Sequence, residues 1–340
     1  MDFSFLPTES KIALYVLALL VVAVLFSIVW IIYFVIKSAG YIRKDDDNQT
    51  LFADIAYFYE KGKRDYQEDS IYISPLDKYI GDGIFACVSD GMGGLKHGKE
   101  ISKHVVDEVE KMFPVPFDDI ENTVSRLTRL STSIFKRYGR KGGATLALVH
   151  ILNNKMHFYS VGDSNIILVR NRKATILNQK HNYFNILVKN LSSAGLTTEE
   201  AYLNKKGRAL TDFMGNMNTR IFNTNVPMSL VDGDIIIVCS DGVTDAIPYN
   251  KIPDYIGNSA TKTADELKLN IRHKNLSRQD NYSCIVIHLN RFNFWGSFMI
   301  ETYSFSHSGG LPEYLDKVYV SYGKYTYAII VNGMNDSESC

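Results

Sequence analysis

The run Ile84-Phe85-Ala86-Cys87-Val88-Ser89-Asp90-Gly91 is an apolar stretch that ends in an aspartate and a glycine. The run Ile235-Ile236-Ile237-Val238-Cys239-Ser240-Asp241-Gly242 repeats this arrangement about 150 residues later. Each run has the length of a buried β-strand, and Asp-Gly after a strand is typical of a turn. Taken singly, either pair indicates only a turn. Together, the two pairs could project their carboxylates from neighbouring strand ends into one cleft.

Other short runs rich in β-branched and aromatic residues predict further strands. They are Ile55–Tyr59, Ser70–Ile73, Ala144–Leu152, Met156–Val161, Asn165–Val169, Ile221–Asn223 and Tyr282–Leu289. Helical spacing of apolar residues predicts long helices over 101–112 and 120–134, and two short helices over 183–191 and 197–203. Strands and helices do not alternate strictly. The pattern therefore favours antiparallel sheets with helices packed outside, an α+β layered architecture.

The segment from Ile12 to Ile36 carries no charged residue, and about 20 apolar residues are enough to cross a bilayer. It is too long for the apolar part of a signal peptide, although Ser38-Ala39-Gly40 could pass for a cleavage site. A buried helix of this length without a polar face would be unusual. We therefore predict a transmembrane helix over 12–36 and a polar linker over 37–52.

Charge and cysteine usage indicate the compartment. Lys37, Arg43 and Lys44 follow the apolar segment while Lys11 precedes it, and this modest bias places the C-terminal body in the cytoplasm. The chain has 37 basic and 37 acidic residues, so no global attraction to nucleic acid is indicated. Its four cysteines include no CxxC motif, which fits a reducing compartment.

Acidic residues lie at five strand boundaries. The segments are Arg64–Asp69, Asp90-Gly91, Gly162-Asp163-Ser164, Asp241-Gly242 and Arg278–Asn281. Converging carboxylates repel one another unless a cation lies between them, and oxygen donors without a His/Cys cluster favour Mg²⁺ or Mn²⁺ over zinc. Two such ions would bind phosphate oxygens and activate a water, and Arg64 could clamp a phosphate. The residues alone thus indicate metal-assisted phosphoester chemistry.

The ordered set of motifs is similar to the metal-dependent protein phosphatases, the protein phosphatase 2C (PPM) family. The motifs are Arg64–Asp69, Val88–Gly94, Gly142–Thr145, Val161–Ser164, Cys239–Gly242 and Gln279–Asn281, and the segments His181–Leu191, Gly195–Ala201 and Ala209–Thr211 resemble the flap of bacterial members. The resemblance covers residues 53–290 and predicts a phosphatase domain there. It implies a four-layer α-β-β-α sandwich of two antiparallel sheets and hydrolysis of phosphoserine and phosphothreonine.

The resemblance also implies roles for individual residues. Arg64 would bind the substrate phosphate, and Asp90 would bridge two Mn²⁺ or Mg²⁺ ions. Asp163 would help to hold a third, weaker ion, Asp69 would bind a water held by a metal, and Asn281 would support the site by hydrogen bonding. The implied metal ligands are Glu68, Asp69, Asp90, the carbonyl of Gly91, Asp163, Asp241 and Asp280.

These features together predict a membrane-tethered, single-pass serine/threonine phosphatase with its catalytic domain in the cytoplasm. Its expected partners are phosphorylated substrates of a cytoplasmic or membrane kinase and the lipid bilayer, with no nucleic acid. The alternative is a pseudo-phosphatase that serves as a scaffold or as a phospho-dependent binding module. A nucleotide-binding transferase is disfavoured because the sequence has no Gly-Lys-Ser/Thr phosphate loop.

The tail over 291–340 resembles the beginning of the predicted domain. Glu313–Ser321 parallels Tyr66–Ser74, and Tyr327–Met334 parallels Phe85–Met92 in residue type. We predict a degenerate partial repeat, with chance similarity of two β-rich stretches as the alternative. The ligands are replaced in this repeat: Leu311 stands for Arg64, Leu315 for Glu68 and Asn332 for Asp90.

Overall fold

The computed structural model describes residues 51–92, 96–189 and 209–291, isolated positions between 191 and 207, five positions between 24 and 30, and the backbone of 317–321 and 327–331. Residues 1–50 and 51–340 form two separate units. The five described positions of the first unit are helical, but no helix within the described residues is long and apolar enough to span a membrane. Most of the predicted membrane segment, 12–36, lies outside the described residues.

Two antiparallel sheets form the body of the second unit. The strands of the first sheet are β1 (Phe52–Glu60), β6 (Asn165–Arg170), β7 (Lys173–Ile176), β10 (Ile235–Cys239) and β11 (Tyr282–Asn290). Those of the second are β2 (Asp69–Ile73), β3 (Ile84–Asp90), β4 (Leu146–Leu152), β5 (Lys155–Val161), β8 (Phe222–Asn223) and β9 (Met228–Ser229). The strand order is β1-β11-β10-β6-β7 in the first sheet and β2-β3-β4-β5-β8 in the second, where β9 also pairs with β5.

The longer helices pack outside the two sheets, and shorter helices lie in the connections between strands. They are α1 (Tyr79–Asp82), α2 (Gly98–Met112), α3 (Ile120–Tyr138), α4 (Tyr183–Lys189), α5 (Asp241–Ala246) and α6 (Ala260–Lys274), with 3₁₀ turns at Leu76–Lys78 and Tyr249–Tyr255. Two more strands, β12 (Lys317–Ser321) and β13 (Tyr327–Val331), pair only with each other among the described residues.

The alternation of side chains along β3 explains why its sequence is apolar throughout. Val88 packs between the two sheets together with Ile236 and Ile285 of the first sheet. Phe85 points to the other face and packs against Leu127 of α3. Because successive side chains of a strand point to opposite faces, a strand covered on both sides reads as a continuous apolar run. The predicted architecture of two antiparallel sheets with helices outside is confirmed.

The helix α6 was not predicted from the sequence. Its buried face includes Ala264, Leu267 and Ile271, and small residues such as alanine weaken an apolar periodicity. Its ends carry ordinary signals, because the Ser259 side chain accepts from the Lys262 N–H at 3.1 Å and Asn275 adopts the left-handed conformation. The predicted helix over 197–203 lies almost entirely outside the described residues.

A buried histidine on β11 leads to a prediction about acid stability. His288 is 5% exposed and its Nε2 lies 3.0 Å from Thr263 Oγ1 of α6; burial lowers its pKa to about 4. The unfolded chain binds a proton at about pH 6.5, so acid favours unfolding between these two values. We expect His288→Gln to flatten the fall in unfolding free energy below pH 6.5 by up to about 1.4 kcal/mol per pH unit. Urea titrations at several pH values measure this slope, and equal slopes for both proteins would contradict the prediction.

Candidate active site

The acidic residues singled out in the sequence come together where strands of both sheets end. Asp69 begins β2 and lies directly opposite Asp90, the last residue of β3. Asp241 follows β10 and begins α5, while Asp163 lies in the turn between β5 and β6. Asp280 lies just before β11. Residues that are far apart in the chain therefore form one carboxylate cluster.

Asp69 is the most buried member of the cluster, at 1% exposure. Its Oδ2 accepts hydrogen bonds from Ser240 Oγ at 2.9 Å and from Ser283 Oγ at 2.7 Å. Its Oδ1 is buried and has no hydrogen-bond partner among the described residues. Burial raises the pKa of Asp69 to about 7, although the two serine hydroxyls oppose this shift. An unpartnered buried carboxylate oxygen is costly unless a cation or a water reaches it.

Two hydrogen bonds with Thr145 hold the backbone of Asp90. Its N–H donates to Thr145 Oγ1 at 2.9 Å, and the Thr145 N–H donates back to the Asp90 carbonyl at 2.8 Å. Burial raises the pKa of the Asp90 carboxyl, and repulsion from Asp69, Asp241 and Asp163 raises it further. The side chain thus lies at the centre of the negative charge.

Asp163 and Asp241 occupy one side of the cluster. Burial raises the pKa of Asp163 to about 7, with repulsion from Asp241 in the same direction and the Lys180 ammonium opposing it. Burial also raises the pKa of Asp241, and repulsion from Asp245 and Asp280 raises it further, whereas the Lys180 ammonium opposes the shift.

Arg64, Glu68 and Asp280 occupy another side. The Arg64 guanidinium lies 2.5 Å from Asp280 Oδ2, and both side chains are partly exposed. Burial raises the pKa of Glu68, while the positive charge of Arg64 opposes the shift. The side chain of Asn281 holds the backbone of residues 66–68. Its Oδ1 accepts from the Glu68 N–H at 2.8 Å, and its Nδ2 donates to the Tyr66 carbonyl at 2.9 Å.

The start of α2 lies close against this segment and requires glycine. The Gly91 N–H donates to the Glu68 carbonyl at 3.1 Å. A Cβ added at Gly91 would lie 2.5 Å from the Gly98 backbone, and one added at Gly98 would lie 3.0 Å from Glu68 Oε1. The two glycines therefore permit the close approach that places Gly91 and Glu68 side by side.

The donor set fits hard divalent cations. It consists of carboxylate and carbonyl oxygens, the ligands that Mg²⁺ and Mn²⁺ prefer, and it includes the unpartnered Oδ1 of Asp69. In the described ranges, no three acidic, histidine or cysteine side chains already converge closely enough to hold an ion. An ion at Asp280 would compete with the contact that Arg64 makes there. The cluster therefore has the donor chemistry of a metal site, and its side chains would have to move to close on a metal.

Four functional positions were missing from the predicted site. Ser240 and Ser283 bind Asp69, Thr145 binds the Asp90 backbone, and Lys180 places its charge near Asp163. Ser240 directly precedes Asp241 at a strand end, which is a weak sequence signal. Ser240 and Asp69 are 171 residues apart, so no local pattern could have paired them.

The chain is similar to known proteins of one family. Residues 79–279, well over half of the chain, match the family model described as "Protein phosphatase 2C". The chain is 26% identical over 215 residues to "Protein phosphatase PhpP" of Streptococcus pneumoniae, covering 60% of this chain and 85% of that protein.

Among the solved structures that share the fold are two serine/threonine phosphatases. The Streptococcus agalactiae serine/threonine phosphatase superposes with a TM-score of 0.61 and 22% identity, covering 70% of this chain and all of that chain. The catalytic domain of the serine threonine protein phosphatase PstP, in complex with two manganese ions, superposes with a TM-score of 0.57 and 22% identity over 71% of this chain and all of that one. With the family match, the chain belongs to the protein phosphatase 2C family, the metal-dependent protein-serine/threonine phosphatases.

Proposed function

We propose that this phosphatase holds two Mn²⁺ or Mg²⁺ ions in the carboxylate cluster and hydrolyses phosphoserine and phosphothreonine in proteins at a membrane. The observation that carries the metal proposal is the position of Asp90 among Asp69, Asp163, Asp241 and Asp280, whose charges all raise its pKa. Such repulsion is relieved by a bound divalent cation. The PstP catalytic domain, which has a similar fold, is in complex with two manganese ions, and this supports the same number here.

The proposed ligands follow from the cluster. Asp90, Asp241, Asp280, Glu68 and the Gly91 carbonyl would hold the two ions. When bound, the ions supply positive charge that activates a water and neutralises the phosphate oxygens. The chain itself supplies the orientation of these donors, which Thr145 and Asn281 hold through backbone hydrogen bonds.

Arg64 is proposed to bind the substrate phosphate. Its side chain is 46% exposed, and the negative charges of Glu68, Asp90 and Asp280 act on it. It can therefore turn from Asp280 to a phosphate at the mouth of the cluster, where two parallel N–H groups suit a phosphate oxygen pair. Within the described ranges the cysteines Cys87, Cys239 and Cys284 are fully buried, so none of these three thiols is accessible as a nucleophile.

Metal removal tests the proposed mechanism. We expect a chelator to abolish hydrolysis of a phosphothreonine peptide by the purified chain, and Mn²⁺ or Mg²⁺ to restore it, because the donors alone cannot neutralise the phosphate charge. Phosphate release measures turnover, and titration calorimetry counts bound ions. A scaffold would bind a phosphopeptide without turnover at any metal concentration, and that result would favour the pseudo-phosphatase.

Membrane anchoring is the second part of the proposal. It rests on the uncharged segment 12–36, which is long enough to cross a bilayer. We expect the full chain to stay with membranes after alkaline carbonate extraction, and a variant lacking 12–36 to move to the supernatant with its phosphatase activity unchanged. Protease added to sealed inside-out vesicles should digest the body, as a cytoplasmic location requires. Release of the full chain by carbonate would contradict anchoring.

We also propose that 291–340 contains a degenerate copy of the β2–β3 hairpin. Under the sequence match, Val318 corresponds to Ile71 and Ile330 corresponds to Val88. Val318 lies opposite Ile330 in β12–β13, and Ile71 lies opposite Val88 in β2–β3. Neighbouring pairs agree in the same way. Two unrelated β-rich runs have no reason to share a register, so this agreement supports a repeat.

A further inference from the structure

Two cationic side chains border the carboxylate cluster on different sides. Arg64 contacts Asp280 at 2.5 Å. The Lys180 ammonium acts on Asp163 and Asp241, where its charge favours the ionised carboxyls. The proposed two-ion function gives a role to Arg64 but none to Lys180.

Hydrogen bonds hold the backbone before and after Lys180 beside the turn that carries Asp163. The Leu177 N–H donates to the Ile166 carbonyl at 2.8 Å, and the His181 N–H donates to the Gly162 carbonyl at 2.8 Å. The segment from 177 to 181 therefore runs alongside the segment from 162 to 166. Lys180 directly precedes His181, and Asp163 directly follows Gly162. The two residues are therefore neighbours across these segments.

Further contacts fix the direction of this segment. The Gly162 N–H donates to His181 Nδ1 at 3.2 Å, and the His181 carbonyl accepts from the Thr211 N–H at 2.9 Å. The Lys180 carbonyl accepts from Asn185 Nδ2 at 2.7 Å. Lys180 is partly buried. Its ammonium thus sits on an anchored backbone rather than at the end of a free loop.

A positive charge carried by this anchored segment changes what Asp163 can bind. The charge of Lys180 already offsets part of the repulsion between Asp163 and Asp241. A divalent cation bound at Asp163 would lie close to this ammonium, and like charges at such separations repel.

We propose that Lys180 is the resident counter-ion of Asp163 and that the chain therefore binds two divalent ions and no third. This inference rests on the proposed two-ion function and makes Lys180 a positioning residue. It replaces the third, weaker ion that the family resemblance implies at Asp163.

Counting bound Mn²⁺ tests the inference. The metal-stripped full chain in detergent is titrated with Mn²⁺ by calorimetry, and free Mn²⁺ is followed by electron paramagnetic resonance. We expect two ions per chain in the native protein and in Lys180→Arg, which keeps the charge. We expect three ions in Lys180→Gln, with the third binding more weakly, and a return to two in the double variant Lys180→Gln/Asp163→Asn. Lys173→Gln, an exposed lysine at the β6–β7 turn, is the matched control and should bind two.

The outcomes separate the inference from the function on which it rests. Three ions in the native chain, or two ions in Lys180→Gln, would overturn the role of Lys180 while leaving the two-ion function intact. A native chain that binds no Mn²⁺ would overturn the proposed function itself, and the inference with it. A third ion in Lys180→Gln that survives Asp163→Asn would show that the new site is elsewhere, and would overturn the assignment to Asp163.

Discussion

Replacing Asp90 with asparagine is expected to lower kcat/KM for a phosphothreonine peptide by roughly 10³-fold, about 4 kcal/mol of transition-state stabilisation. The amide has the same shape but only one oxygen and no charge, so it cannot be shared by two cations. The Asp90 backbone bonds with Thr145 do not use the side chain and should persist. Steady-state phosphate release at saturating Mn²⁺ measures the effect.

The stability of the same variant distinguishes a lost site from a lost fold. Because repulsion from Asp69, Asp163 and Asp241 opposes ionisation of Asp90, Asp90→Asn should leave the metal-free protein at least as stable as the native chain in urea. The matched control is Asp107→Asn, which removes an exposed carboxylate that pairs with Lys103 on α2 and should retain full activity. Unchanged turnover in Asp90→Asn would refute the proposed two-ion mechanism.

Replacing Gly242 with alanine is expected to damage both stability and activity. A Cβ at this position would lie 2.0 Å from the carbonyl oxygen of Asn281 and 3.3 Å from the Cβ of Tyr282. Backbone atoms cannot yield as a flexible side chain can, so α5 must move away from the start of β11. That movement would separate Asp241 from Asp280, and we expect a loss of about 3 kcal/mol in unfolding free energy together with weaker Mn²⁺ binding.

Gly81→Ala is the matched control for this substitution. Gly81 lies in the short helix α1, and a Cβ added there meets no atom within 4 Å. Alanine favours helix over glycine by up to about 1 kcal/mol, so the control should be neutral or slightly stabilising. Urea unfolding and Mn²⁺ titration of both variants make the comparison. A Gly242→Ala protein with native stability and affinity would show that the close approach is not needed.

The pair Asp241-Gly242 shows which structural information a local sequence pattern lacks. After an apolar strand the pair predicts a turn, and the structure instead has it begin α5. The sequence pattern located the carboxylate correctly at the end of β10. The need for glycine comes from Asn281, a residue of a distant segment, and no local pattern contains that information.

Order and type of the strands were largely predictable from the chain, since strands buried on both faces must be apolar throughout. The ordered acidic motifs also predicted the family, and the family match confirms it. Helix α6 was not predicted because its buried face consists partly of small residues, which weaken the apolar periodicity. The predicted roles of the individual ligands remain predictions that the variants above address.

By itself the sequence determined most of the segments that become strands and the carboxylates that end them, because a run of apolar residues is a local property. Only the tertiary structure decided which of those carboxylates meet, that Ser240 and Ser283 bind one oxygen of Asp69, and that the segment of Lys180 runs alongside the turn that carries Asp163. The physical reason is that charges and hydrogen bonds depend on distances in space. Segments separated by up to about two hundred residues come close enough to interact only when the two sheets pack.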